Sequence, residues 1–154
     1  MLLRHWLREV DISLPNFASY AEWFAYRQAR QNPQVYIDRF VANLKGVRPS
    51  VAPEYDAFLE RAGVCGSATI SSTIAMRVDR IRIGTAYLRD SELFKTIFHE
   101  EMHIRVRNYA LQGRQHHLRL ATDPLNDILE EEYVEDVAIR YYNMYIRRYG
   151  AFAH

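Results

Sequence analysis

At 154 residues, with 49% hydrophobic and 25% charged side chains, the chain has the size and balance of one soluble globular domain with a single core. A formal net charge of +1 excludes a global field that would gather nucleic acid or an anionic membrane, and no apolar run reaches the ~18 residues of a membrane span. The lone cysteine, Cys65, excludes an internal disulfide and a multi-cysteine metal site, and reads as a small buried hydrophobe.

The start, Met1-Leu2-Leu3-Arg4-His5-Trp6, carries charge where a signal peptide needs a continuous apolar stretch, so the expectation is a soluble chain without a leader. The sequence is equally compatible with a domain of a longer polypeptide. Residues 1–62 read as a helical N-terminal part. Ser13-Leu14-Pro15-Asn16 predicts a turn and cap, after which Phe17, Tyr20, Ala21, Phe24 and Ala25 recur at helical spacing to about Gln31. Asn32-Pro33 stops that helix. A second is expected from Gln34 to Leu44, ending at Lys45-Gly46, and a third from Glu54 to Ala62, ending at Gly63. The aromatic stripe of Phe17, Tyr20, Trp23 and Phe24 reads as core. Of 20 basic residues only Lys45 and Lys95 are lysines, so most of the arginines are expected to pair and stack structurally among the 11 tyrosines.

From Gly63 to Thr73 glycine, serine and threonine mark a loop-rich stretch. In Met76-Arg77-Val78-Asp79-Arg80-Ile81-Arg82-Ile83-Gly84, Ile81 and Ile83 alternate with Arg80 and Arg82, the pattern of a strand with one buried face. Such a strand is either a plain hairpin member or an unpaired edge on which an extended peptide docks. Asp90-Ser91-Glu92 then opens a central helix with an acidic first turn. Leu93, Ile97 and Ile104 share one side of it, Phe98 and Met102 a second, and His99, His103 and Val106 a third, so the helix is expected to be buried.

This helix carries His99-Glu100-Glu101-Met102-His103. Histidines four apart rise on one side of a helix and can grip one zinc ion, while the glutamate after the first stands where a carboxylate can take a proton from an attacking water. Two hydrogen-bonded core histidines flanking a surface Glu100-Glu101 are the bland alternative. Ala110 to Asp123 reads as a connection, and Asp123-Pro124 caps a last helix running to about Tyr149. Within it, Glu130, Glu131, Glu132 and Glu135 repel one another unless a cation or arginines sit among them. At 100 degrees per residue, Ile128, Ile139 and Ile146 set the apolar side. Glu135 falls on it, Glu131 and Glu132 flank it, and Glu130 points away with Arg148.

Hydrolytic zinc needs three protein ligands and an open position. Val106 and Tyr109 stand where a metzincin has glycine and histidine, which leaves a glutamate of the last helix or one of His116 and His117, with the glutamate favoured. These features resemble the gluzincin branch of zinc peptidases, whose H-E-x-x-H helix is followed by a second helix donating a glutamate, with an acidic or polar side chain four residues later. Framed from Glu131, the pattern meets Val134, Glu135 and Ala138; framed from Glu132, it meets Glu135, Asp136 and Ile139. The resemblance covers residues 78–145 and favours Glu131, with Glu132 in its place as the second choice.

A weaker similarity, to the zincin-type effector domains of bacterial polymorphic toxins, rests on Phe98-His99-Glu100-Glu101-Met102-His103 and the Glu-rich run. It implies a secreted or injected protease domain with a cognate immunity protein. The expectation is therefore a single α+β, mostly helical, zincin-like domain spanning 1–154, with a small sheet and a metal-binding core at 76–149. It would bind Zn²⁺ through His99, His103 and Glu131 or Glu132, use Glu100 as general base on a protein or peptide substrate, and orient a ligand histidine with Glu135 or Asp136. Arg114, His116 and His117 are candidates for stabilising the oxyanion. The rivals are a non-catalytic, zinc-stabilised binding module and a three-histidine hydrolase.

Overall fold

The protein is described from a computed structural model that covers residues 17–69, 79–84, 89–113 and 124–152. The predicted cap at Ser13 to Asn16 and the part of the predicted strand before Asp79 lie outside these residues. Helix α1 (Tyr20–Gln31) starts at Ser19, whose hydroxyl accepts from the Glu22 N–H at 3.2 Å, while the Glu22 carboxylate accepts from the Ala18 N–H at 2.7 Å. This is the reciprocal logic of a capping box, shifted one residue outward. The helix buries Trp23, Tyr26 and Ala29, and leaves Tyr20 and Phe24 exposed, so only part of the aromatic stripe is core. Pro33 opens helix α2 (Pro33–Ala42), since a proline at the first helical position loses no hydrogen bond there. Ile37 and Phe40 carry its buried side, and Leu44 is buried just past its end.

The expected third helix divides. Pro53–Tyr55 form strand β1, and Asp56 caps a short helix α3 (Ala57–Arg61) by accepting from the Phe58 and Leu59 N–H groups at 2.8 and 3.3 Å. The Asp56 side chain fixes the helix start three residues later than hydropathy suggests, freeing the preceding residues to pair as a strand. Gly66–Thr69, expected as loop, form β2, and Arg80–Ile83 form β3. The sheet order is β1-β3-β2. β1 runs parallel to β3, with Pro53 opposite Ile81, and β2 runs antiparallel, with Gly66 opposite Ile83. β3 is therefore the central strand, and the idea that it offers an unpaired edge is corrected: both of its sides are filled. The outer side of β1 is covered too, because the Gln34 side chain donates to Pro53 O at 3.1 Å and accepts from the Tyr55 N–H at 2.7 Å. Among the described residues nothing pairs with the outer side of β2. The alternation in β3 holds, with Ile81 and Ile83 fully buried while Arg80 and Arg82 pair with Glu54 and Asp56 on the other face.

Helix α4 (Asp90–Gly113) extends past Ala110 into the stretch read as a connection. Leu93, Phe94, Ile97, Phe98 and Ile104 form the centre of the core against β3, α2 and helix α5 (Pro124–Tyr149). The two long helices meet through an aromatic seam: Phe94 lies 5.0 Å from Tyr145 and Phe98 lies 5.1 Å from Tyr141, centroid to centroid. The buried line of α5 is Val134, Ala138 and Tyr145, while Ile128 and Ile139 are 59% and 39% exposed. Hydropathy misplaced this face because tyrosines carry it, and a tyrosine ring buries apolar surface while scoring as nearly neutral. Where Gly46 turns at φ 69, the Tyr149 hydroxyl occupies the space a Cβ would need. Among the described residues no helix is long and apolar enough to cross a membrane.

Glu101, next to the expected base, braces the fold. It is fully buried, and its two oxygens accept from the Ser50 N–H at 3.1 Å, the Ser50 hydroxyl at 2.9 Å and Arg105 Nε at 3.0 Å. This ties the segment between α2 and β1 to α4. Glu101→Ala is expected to lower stability by about 2–4 kcal/mol, because it removes hydrogen bonds to a charged group and leaves a hole where a fully buried side chain stood. Arg105→Ala should cost under about 1 kcal/mol, since that guanidinium is 56% exposed. Urea midpoints of the two variants check the contrast, and equal shifts would refute it.

Candidate metal centre

His99 and His103 stand one turn apart on the side of α4 that faces α5. Their Nε2 atoms lie 3.2 Å from each other. The Glu131 carboxylate of α5 closes the group, with Oε1 2.6 Å from His99 Nε2 and Oε2 2.8 Å from His103 Nε2. The other ring nitrogens are also engaged: His99 Nδ1 lies 2.7 Å from Glu135 Oε2, and His103 Nδ1 lies 2.9 Å from Glu130 Oε2. Arg107 Nε donates to both Glu130 oxygens at 3.0 and 3.1 Å.

Carboxylates face both nitrogens of each ring, so each imidazole either carries a second proton or, neutral with its proton on Nδ1, turns a bare Nε2 lone pair toward Glu131. In the second case two such lone pairs and a carboxylate converge on one point, acceptor against acceptor. They repel unless protons or a cation lie among them. The donor atoms of His99, His103 and Glu131 all fall within 4.8 Å of one another. The 3.2 Å between the two nitrogens is close to the ~3.3 Å separating two ligands held ~2.0–2.1 Å from one tetrahedral zinc, whereas the 2.6 and 2.8 Å to Glu131 are hydrogen-bond lengths that would have to widen around an ion. The set is nitrogen and oxygen only, which suits zinc and equally admits other divalent first-row metals.

Comparison with known protein families, curated proteins and solved structures finds no match.

Glu132, the second choice for the third ligand, is exposed and stands outside the group. Asp136 pairs with Arg140 at 3.0 Å on the exposed side of α5, so the contact with His99 belongs to Glu135. Glu130, expected to point away, faces His103 instead. The correction follows from the buried line of α5: Glu130 and Glu131 precede Val134 by four and three residues, and so continue its face. Arg107 went unread as a partner, although its own spacing of four from His103 was a usable signal. Arg114, His116 and His117 lie outside the described residues.

Glu100 is buried between α4 and β2. Burial raises its carboxyl above the ordinary glutamate range; His99 and His103 oppose that rise and Glu131 adds to it. Gly66 allows the close approach, because a Cβ there would lie 2.9 Å from Thr96 Cγ2 and 3.2 Å from the Glu100 carboxyl. A cleft of about 480 Å³ opens beside these residues, lined by Cys65, Gly66, Thr96, His99, Glu100 and Glu135, among others. Cys65 is exposed at this cleft, just before β2, contrary to its reading as a buried hydrophobe.

Proposed function

We propose that this chain is a zinc-dependent peptidase with a zincin-like core of the gluzincin kind. The observation that carries the reading is the meeting of the His99 and His103 Nε2 atoms with the Glu131 carboxylate, with the Glu100 carboxyl buried beside them. His99, His103 and Glu131 would hold the ion. When bound, zinc supplies a Lewis acid that polarises a carbonyl and brings the pKa of a coordinated water to about 7.

The protein's own groups account for the remaining tasks. Glu100 takes a proton from water as the water oxygen bonds to the peptide carbonyl carbon, then delivers it to the departing amine nitrogen as the C–N bond breaks. Burial raises its pKa, the direction that favours handing the proton on. Glu135 and the Glu130–Arg107 pair hold the two imidazoles in one tautomer and orientation, which strengthens them as donors. The outer side of β2, which has no pairing strand among the described residues and whose Gly66 lines the cleft, would give an extended peptide main-chain partners.

Metal analysis of the purified chain, together with cleavage of a denatured protein substrate, tests the reading. About one zinc per chain and cleavage abolished by chelator are the expected results; absence of stoichiometric zinc after supplementation would end it. Gly66→Val offers a second check at the cleft wall. The added side chain must displace Thr96 or Glu100, and hydrolysis is expected to fall by about 100-fold with zinc retained, since displacing a reacting group by about 1 Å costs that order. An unaltered rate would remove Gly66 from the account.

A further inference from the structure

One cation in the cleft has no acidic partner among the described residues. Lys95, one of only two lysines in the chain, lies four residues before His99 on α4 and lines the same cleft as His99 and Glu100. Residues four apart share a helix side and are separated by about 6 Å along the axis. The Lys95 ammonium lies 4.7 Å from the centroid of the Tyr142 ring on α5. A cation held on an aromatic face keeps N–H donors for another group. Three carboxylates share the cleft lining with it, and Glu100 is the buried one, beside Gly66. Glu135 is committed to His99 Nδ1, and Glu92 forms no ion pair with Lys95. Elsewhere Arg80, Arg82, Arg89, Arg105, Arg107 and Arg140 are paired with acids.

We propose that Lys95 binds a carboxylate of the substrate within one residue of the bond that is cut. This rests on the peptidase reading above. An extended peptide advances about 3.3 Å per residue, so a carboxylate on a residue flanking the scissile carbonyl spans the one-turn offset between His99 and Lys95. The carboxylate has two sources, an internal Asp or Glu side chain or the free C-terminus of a peptide. Either one completes the ammonium's hydrogen bonding, whereas a basic residue meets a like charge there.

The test uses the zinc-loaded full chain and matched synthetic peptides. One set carries Asp or Glu against Asn or Gln next to the bond cut; another carries a free against an amidated C-terminus. The expected ratio of kcat/KM is about tenfold in favour of the carboxylate in one of the sets, which identifies the source, and the ratio should shrink as salt rises. Lys95→Met should bring that ratio to near one, Lys95→Arg should keep it, and Lys95→Glu should turn it toward Lys or Arg. Cleavage with no carboxylate preference in either set, or a preference that survives in Lys95→Met, overturns the role of Lys95 and leaves the peptidase reading standing. No cleavage of any peptide by the zinc-loaded wild type overturns both.

Discussion

Glu100→Gln is expected to bind zinc as the wild type does and to hydrolyse peptides roughly 10²- to 10⁴-fold more slowly, the range that a positioned general acid–base group contributes. Glutamine keeps the shape of the side chain in its tight place beside Gly66, so neither the fold nor the donor cluster has reason to move. What is lost is the capacity to accept a proton. Metal content and steady-state rates measured on the same preparation separate the two effects. Undiminished proteolysis would remove Glu100 as the base, while loss of zinc would show that it holds the ion instead. A wild type that binds zinc and cleaves nothing would favour a metal-stabilised binding module.

The second large effect concerns the ion itself. Glu131→Gln should lose stoichiometric zinc, whereas Glu132→Gln, one residue along, should keep it, because only Glu131 reaches both Nε2 atoms. Glu130→Gln and Glu135→Gln should fall between, weakening metal affinity by about 10- to 100-fold through the histidines they hold. On the proposed reading metal binds only the assembled site, so zinc at about 100 times its dissociation constant should add about 2.7 kcal/mol of stability. Chelator should therefore lower the melting temperature of the wild type and leave that of Glu131→Gln unchanged. Retention of zinc in both Glu131→Gln and Glu132→Gln would dismiss this ligand set and restore His116 or His117 as the rival.

The parts of the site that were legible in the sequence are those set by local geometry. Histidines four apart must share a helix side, and a proline after an aspartate does begin α5. The choice of Glu131 over Glu132 rests on a resemblance in spacing; the structure brings the Glu131 carboxylate against the two histidines. What could not be read is whatever depends on which face a helix turns inward. A tyrosine-rich seam moved the buried line of α5 away from its isoleucines, and with it Glu130 from solvent to His103. β2 was illegible for another reason. Gly-Ser-Ala-Thr has little strand preference of its own, and it is extended because β3 lies alongside it. Glu101 reads as a surface acid until Ser50, 51 residues away, is seen to fill its hydrogen bonds.

The aromatic seam between α4 and α5 has a kinetic consequence. His99 and His103 become neighbours as soon as one helix winds, but Glu131 arrives only when the second helix has zipped onto Phe94 and Phe98. An ion seated between them would act as a clasp across that seam, and its escape would wait for the clasp to spring. Release of zinc into excess chelator should then quicken when a ring of the seam is trimmed, as in Tyr141→Leu, although no atom touching the ion has changed.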